Sequence, residues 1–133
     1  MCVGEVRAKT WGDLLESLER DMTRLTIRID FENGRQIGHG KVRLLDLIAK
    51  HGSISQAAKE MGMSYQRAWM LADELNRMFR KPVLEKRHGG SQCGYARLTS
   101  YGHAVVGHYR MIETQTGKMF SKQLAELEKG LSA

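Results

Sequence analysis

The stretch SISQAAKEMGMSYQRAWMLADELNRMF, residues 53–79, decides the fold because it contains two helix starts separated by a glycine. Ser53 is followed three residues later by Gln56, which is the capping-box pattern that opens a helix. Gly62 can adopt the left-handed conformation that ends this short helix, and Ser64 can then cap a longer one. A short helix, a glycine turn and a longer helix predict a helix-turn-helix.

The longer helix has two different faces when it is wound at 3.6 residues per turn. One face is apolar and can pack against the small Ala57 and Ala58 of the first helix; it consists of Ala68, Leu71, Ala72, Leu75 and Phe79. The opposite face carries Gln66, Met70, Asp73 and Arg77, flanked by Tyr65, Arg67 and Trp69. An outward polar face of this kind fits the DNA major groove, which is about 12 Å wide.

Each residue at the start of this helix suggests a contact with DNA. Gln66 can pair with adenine, and Arg67 with guanine or a phosphate, unless Arg67 is only a solvated surface charge. Ser64 and the free backbone amides beside it can donate to a phosphate. Tyr65 can meet a thymine methyl or the sugar–phosphate edge. Trp69 has two interpretations, as a base contact or as a partly buried anchor between helices.

A hairpin is predicted directly after this helix. Val83–Arg87 and Tyr95–Leu98 have the pattern of two short strands, and the glycine-rich loop 88–94 joins them. A helix-turn-helix followed by such a hairpin is the order of a winged helix. Three basic residues at the hairpin tip can reach a phosphate or the minor groove, although solvation alone also explains them. The predicted DNA contacts are therefore Ser53, Ser64, Tyr65, Gln66, Arg67, Trp69, Met70, Lys86, Arg87 and His88.

The flanking segments also show periodicity. Apolar residues spaced by three and four predict an amphipathic helix over Trp11–Met22. Alternation from Leu25 to Glu32 predicts a half-buried strand, and Asn33-Gly34 can supply the positive-φ positions of a type I′ hairpin turn. Arg35–Ile37 can return as its partner strand, and a buried helix is predicted over Lys41–Lys50.

The last part of the chain predicts a long helical segment. Thr99 or Ser100 can cap a helix over Tyr101–Lys129, which we expect to be broken or loosened near Thr116-Gly117. Its apolar stripes exceed what one small winged domain can cover, so we expect a dimer seam here and at the amino-terminal helix. The alternative is that this segment packs back over the core of its own subunit.

Composition limits the possible classes of protein. The chain has 133 residues, with 21 Lys+Arg against 15 Asp+Glu, and its charge of +6 favours a polyanionic partner. No apolar run approaches the roughly 20 residues of a membrane span, so we expect a soluble, cytoplasmic protein without membrane contact.

We find no catalytic motif and expect neither enzyme activity nor a cofactor. His88 and Cys93 can share a metal, but a site needs about four ligands, and no metal is expected.

Two runs of sequence resemble the amino-terminal domain of the molybdate-responsive regulators, the ModE family. They are SISQAAKEMGMSYQRAWMLADELN (Ser53–Asn76) and ARLTSYGHAVVGHYRMIE (Ala96–Glu113), and Ser-Tyr-x-x-Ala-Trp is the most specific part. The resemblance covers about residues 25–113. It implies a winged helix-turn-helix related to that of LysR-type regulators, and a dimer joined through terminal helices. It also implies that Tyr65, Gln66, Arg67 and Trp69 face the groove.

Full-length members of that family also carry paired β-barrel modules that bind molybdate or tungstate. The residues after the matching segment have the pattern of a helix and not of such a β-barrel, so we expect no molybdate binding by this chain. We predict a mainly α fold with a small β component. Its parts are an amino-terminal arm over 1–24, a winged helix-turn-helix over 25–99 and a helical dimerisation segment over 100–133.

The predicted function is sequence-specific binding of double-stranded DNA at a pseudo-palindromic site by a homodimer that regulates transcription. Two alternatives remain open at this point. One is a winged-helix adaptor that binds proteins, and the other is a metal- or redox-responsive switch that uses His88 and Cys93.

Overall fold

The computed structural model describes residues 23–87 and 95–133. The predicted helix Trp11–Met22 and the loop 88–94, with His88 and Cys93, lie outside the described residues. The elements in chain order are β1 (Arg28–Asp30), β2 (Gln36–Gly38), α1 (His39–His51), α2 (Ile54–Met61), α3 (Tyr65–Met78), β3 (Leu84–Arg87), β4 (Tyr95–Leu98), α4 (Ser100–Met119) and α5 (Ser121–Lys129). This mainly helical winged helix-turn-helix is the predicted fold.

Strands β1 and β2 form a short antiparallel hairpin in which Ile29 pairs with Ile37. Asn33 and Gly34 have φ values of 63° and 74°, so both positive-φ positions are confirmed. The turn is longer than a two-residue turn, because the Phe31 amide donates to the Arg35 carbonyl at 2.7 Å across Glu32–Gly34. The strand is also shorter than the alternation predicted, since its partner ends where α1 begins.

The core forms where α1, α2 and α3 meet. Helix α1 buries Val42, Leu44, Leu45, Leu47 and Ile48. Small residues let the other two helices cross closely, and Ala57, Ala58, Ala68, Ala72 and Leu75 are buried there. The predicted ends are confirmed, because Gly52 and Gly62 both adopt φ of 67° after α1 and α2.

The start of helix α4 is hydrogen-bonded and closely packed to the base of the wing, which is the β3–β4 hairpin. The Thr99 hydroxyl accepts from the Gly102 amide at 2.9 Å, which makes Thr99 the cap. Thr99 also donates from its amide to the Val83 carbonyl at 3.0 Å and from its hydroxyl to the Pro82 carbonyl at 2.7 Å. A Cβ atom on Gly102 would lie 1.9 Å from the Val83 carbonyl oxygen. The helix can approach this closely only because position 102 is glycine.

Farther along, α4 connects the two ends of the described chain. Tyr109 is buried, and its hydroxyl donates to the Ile27 carbonyl at 2.8 Å. After that point the apolar side chains are exposed, including Met111, Ile112, Met119 and Phe120. The first half of α4 thus packs on its own core, whereas the second half has no apolar cover within the described residues.

The helical segment breaks at Phe120 (φ −110°, ψ 23°), three residues after Gly117, so the break predicted near Thr116-Gly117 is present but displaced. Gly117 stays helical, because glycine costs a helix only about 1 kcal/mol and does not end it.

No helix in the described part of the chain is long and apolar enough to cross a membrane.

A group of charges joins α1 to α4 and to the segment before β1. The Arg110 guanidinium contacts Asp46 at 2.6 Å and Glu113 at 2.8 Å. Although partial burial acts to lower the pKa of Arg110, the hydrogen bonds that it donates to these two carboxylates raise this pKa above its ordinary value. His39 accepts a hydrogen bond from Arg24 at 2.7 Å. Partial burial, followed by the charge of Arg24, lowers the pKa of His39.

Candidate nucleic-acid interface

The amino-terminal end of α3 lies on the surface. Ser64, Tyr65, Gln66 and Arg67 are all exposed, and Met70 is 62% exposed one turn later. The Ser64 hydroxyl accepts from the Arg67 amide at 3.1 Å, so it caps the helix as predicted. The end therefore offers polar side chains and backbone amides to a ligand.

Trp69 is half-buried and packs against the core, which agrees with its interpretation as an anchor. Its ring lies 6.0 Å from that of Tyr65, and the two planes are inclined by 42°. The Lys86 ammonium lies 4.2 Å from the Trp69 ring centroid. Trp69 therefore connects α3 to the wing as well as to the core.

Ser53 lies at the start of α2 and is half-buried. Its hydroxyl accepts from the Gln56 amide at 3.3 Å, which confirms the predicted cap. The sequence shows this local role directly, because a cap depends only on neighbouring residues.

Strand alternation places Lys86 and Arg87 on opposite faces of the wing. The side chains of β3 are alternately covered and exposed from Leu84 to Arg87. Lys86 faces α3, where its ammonium pairs with the Asp73 carboxylate and its side chain is only 13% exposed. Arg87 faces outward and pairs in register with Tyr95. The two residues that the sequence suggested as equivalent thus have different surroundings.

The outer face of the wing has three residues in a row. Tyr95 is 44% exposed, and the guanidinium carbons of Arg87 and Arg97 each lie 6.0 Å from its ring centroid. Arg97 also contacts Glu85 at 2.8 Å, and this hydrogen bond raises its pKa. Sequence reasoning missed Arg97, although alternation along two paired strands places it on the same face as Arg87.

Asn76 joins the end of α3 to the base of the wing. Its side-chain oxygen accepts from the amides of Val83 at 2.9 Å and Leu84 at 3.0 Å. Its side-chain nitrogen donates to the Leu84 carbonyl at 3.0 Å. On the other side of the hairpin, the Ala96 amide donates to the Gly52 carbonyl at 3.1 Å. The wing is thereby held to two helices through hydrogen bonds that no sequence motif predicts.

Comparison with known protein families connects this geometry to bacterial regulators. Residues 40–103 match the family described as "Bacterial regulatory helix-turn-helix protein, lysR family". The chain is 39% identical to the molybdenum-pterin-binding protein MopA of Rhodobacter capsulatus, covering 74% of this chain and 36% of MopA. It is 38% identical to the DNA-binding transcriptional dual regulator ModE of Escherichia coli, covering 60% of this chain and 30% of that protein. The chain thus matches about a third of the length of these relatives.

A solved structure has the same fold. The crystal structure of a CbnR_DBD-DNA complex superimposes with a TM-score of 0.52 at 23% identity, covering 66% of this chain and 95% of that one. The predicted winged helix-turn-helix is confirmed by this likeness. The suggested switch through His88 and Cys93 stays a hypothesis, since both residues lie outside the described part of the chain.

Proposed function

We propose that the chain is a sequence-specific DNA-binding transcription regulator, from the premise that residues 40–103 match the bacterial regulatory helix-turn-helix proteins of the lysR family. The main supporting observation is the exposed start of α3, where Gln66 and Arg67 lie beside the capping Ser64. The similarity to ModE and MopA also supports this function. In this function, α3 enters the major groove and reads base edges.

Each exposed residue has a proposed role. Gln66 pairs with adenine, Arg67 pairs with guanine, and Met70 and Tyr65 contact thymine methyls. Ser64 donates to a phosphate at the helix start. Arg87 and Arg97, with Tyr95 between them, contact the backbone next to the groove. Two further predicted phosphate contacts are Ser53 and His88.

We propose a homodimer in which residues 25–99 bind DNA and residues 100–133 hold two copies together. The exposed apolar side chains of α4 and α5 supply the surface for this contact. Two copies carry twice the formal charge of +6, which favours strong, salt-dependent attraction to DNA. Two-fold symmetry then places half-sites about 34 Å apart, or a multiple of that distance.

The decisive experiment is selection of duplexes from a random pool, followed by footprinting and anisotropy titration. We expect an inverted repeat, and we expect Arg67→Glu to weaken binding by roughly 10-fold or more, since a lost base contact costs about 1–3 kcal/mol. Arg80→Glu is the matched control, because this exposed arginine undergoes the same substitution past the carboxy-terminal end of α3. If no duplex binds at low salt, the protein is not a DNA regulator, and a protein-binding adaptor becomes the better interpretation.

We further propose that molybdate does not change DNA binding by this chain. Arg110 on α4 already contacts the carboxylates of Asp46 and Glu113, so a further anion would compete with both. The same titration with millimolar molybdate tests this statement. A shift in affinity would show that this chain senses the oxyanion.

A further inference from the structure

The different surroundings of Lys86 and Arg87 point to different roles. Lys86 is almost covered, because its ammonium pairs with Asp73 and lies against the face of Trp69 at 4.2 Å. Arg87, the next residue, is exposed on the other face of the hairpin beside Tyr95. Among the described residues Arg87 has no carboxylate partner to give up when it reaches a phosphate, whereas the Lys86 ammonium has to leave the Asp73 carboxylate and the Trp69 ring.

The site that receives Lys86 belongs to one helix. Trp69 and Asp73 are four residues apart on α3, so both lie on the same side of it. The indole face and the carboxylate together attract a cation. Lys86 is the side chain of the wing that occupies this position, and its hydrocarbon stem is covered at the same time.

This contact is the second of two attachments between α3 and β3. The first is Asn76, which binds the backbone of Val83 and Leu84 at the base of the wing. Lys86 lies two residues farther along the strand, a distance of about 6.6 Å at 3.3 Å per residue. Two separated attachments set the angle between the strand and the helix, whereas one attachment acts as a pivot.

We propose that Lys86 is a positioning residue, which holds the wing against α3 through Asp73 and Trp69 so that Arg87 faces the DNA backbone. Lys86 itself does not contact a phosphate. This inference rests on the proposed DNA-binding function, but the contact can also be measured in the free protein.

The first test uses fluorescence of the full chain without DNA. Trp11→Phe leaves Trp69 as the single tryptophan, since the chain has two. In this background Lys86→Met and Asp73→Asn should both change the Trp69 emission, and their effects should not add, because either change removes the same contact. Arg87→Met is the matched control on the adjacent residue and should leave the emission unchanged. Additive effects, or no change with Lys86→Met, would overturn the proposal.

The second test compares the salt dependence of DNA affinity. Each phosphate contact adds about 0.9 to the slope of log affinity against log salt concentration. Arg87→Met should therefore lower the slope by about one for each bound copy. Lys86→Met should weaken binding by roughly two- to tenfold, the range that loss of a cation–aromatic contact and an ion pair allows. The double variant Lys86→Met/Arg87→Met should have the same slope as Arg87→Met alone, because Lys86 acts only through the position of Arg87. The exchanged pair Asp73→Lys/Lys86→Asp should restore part of this loss.

The outcomes distinguish a positioning role of Lys86 from a direct phosphate contact by Lys86. If the double variant Lys86→Met/Arg87→Met has a slope lower than that of Arg87→Met by about another 0.9 for each bound copy, Lys86 is a phosphate contact of its own and the proposal is wrong. The proposal is also wrong if the exchanged pair binds less tightly than Lys86→Met alone. If the wild-type protein binds no duplex, the proposed function fails, while the fluorescence measurement still decides whether Lys86 holds the wing.

Discussion

Single residues show which features depend on sequence neighbours and which depend on the folded chain. The caps Ser53, Ser64 and Thr99 could be predicted, because each hydroxyl bonds to an amide three residues later. Gly102 could not be recognised as essential, because its constraint comes from Val83, a residue nineteen positions earlier in the chain.

Gly102→Ala should destabilise the protein by about 1–3 kcal/mol or more, because the new methyl group would overlap the Val83 carbonyl oxygen. That carbonyl cannot retreat easily, since it accepts from the Thr99 amide. Gly107→Ala is the control in the same helix, where a Cβ atom meets nothing within 4 Å. This change should be neutral or stabilising by up to about 1 kcal/mol. Urea unfolding of both variants measures the difference, and equal stabilities would contradict the overlap.

His39 should make stability depend on pH. Burial and the neighbouring Arg24 lower its pKa in the folded protein, so the unfolded chain binds its proton more readily. The contribution of His39 to the free energy of unfolding is therefore complete above the ordinary pKa of 6.5 and decreases as the pH falls below it.

His39→Gln should remove this part of the pH dependence, since glutamine can accept from Arg24 without titrating. The measurement is urea unfolding between pH 8 and pH 5, with His103→Gln as the control at an exposed histidine. A slope of stability against pH that is identical in the wild-type protein and His39→Gln would show that His39 does not contribute.

The elements were predictable where their signals are local. Periodicity and glycine ends place α1, α2 and α3 within a few residues of their observed bounds. The wing strands were also predicted, but not the attachment of β3 to α3, because this depends on how two elements meet in space. Asn76 has no sequence signal that separates it from a polar surface residue, yet it makes three hydrogen bonds.

Asn76→Ala should cost about 1–3 kcal/mol, because it leaves backbone groups of the buried residues Val83 and Leu84 without their side-chain partner. The exposed neighbour Arg77 supplies the control, and Arg77→Ala should change stability by less than about 0.5 kcal/mol. Amide hydrogen exchange offers a local readout, in which the Val83 and Leu84 amides should exchange faster in Asn76→Ala alone. Unchanged protection at these two amides would contradict the role of Asn76.

For the whole molecule, the open question from the sequence was whether the carboxy-terminal helix covers its own subunit or another one. The first half of α4 covers its own subunit, whereas the apolar side chains of its second half are exposed. Tyr109 reaches back to Ile27, while Met119 is 74% exposed and Ile112 is 47% exposed. Composition and periodicity reveal an apolar stripe but do not reveal how much of it the same chain covers.

Met119→Lys should weaken self-association, because Met119 and Ile112 lie two turns apart on one exposed side of α4. Loss of a buried apolar side chain of this size costs about 1.5–3 kcal/mol, which corresponds to roughly 10-fold or more in the dimer Kd. Thr114→Lys on the other side of the same helix is the control. Sedimentation equilibrium measures both; a monomeric wild-type protein or equal effects of the two changes would contradict the proposed seam.

The anchored base of the wing has a consequence for how recognition can diversify. Asn76, Thr99 and the Gly52 carbonyl hold the hairpin at its base, and Arg87 pairs in register with Tyr95 at the far end of the two strands. Doubling the length of a connecting segment costs only about 0.6 kcal/mol of closure entropy. We therefore expect that a peptide or a spectroscopic label inserted between Arg87 and Tyr95 leaves the scaffold that positions α3 in place.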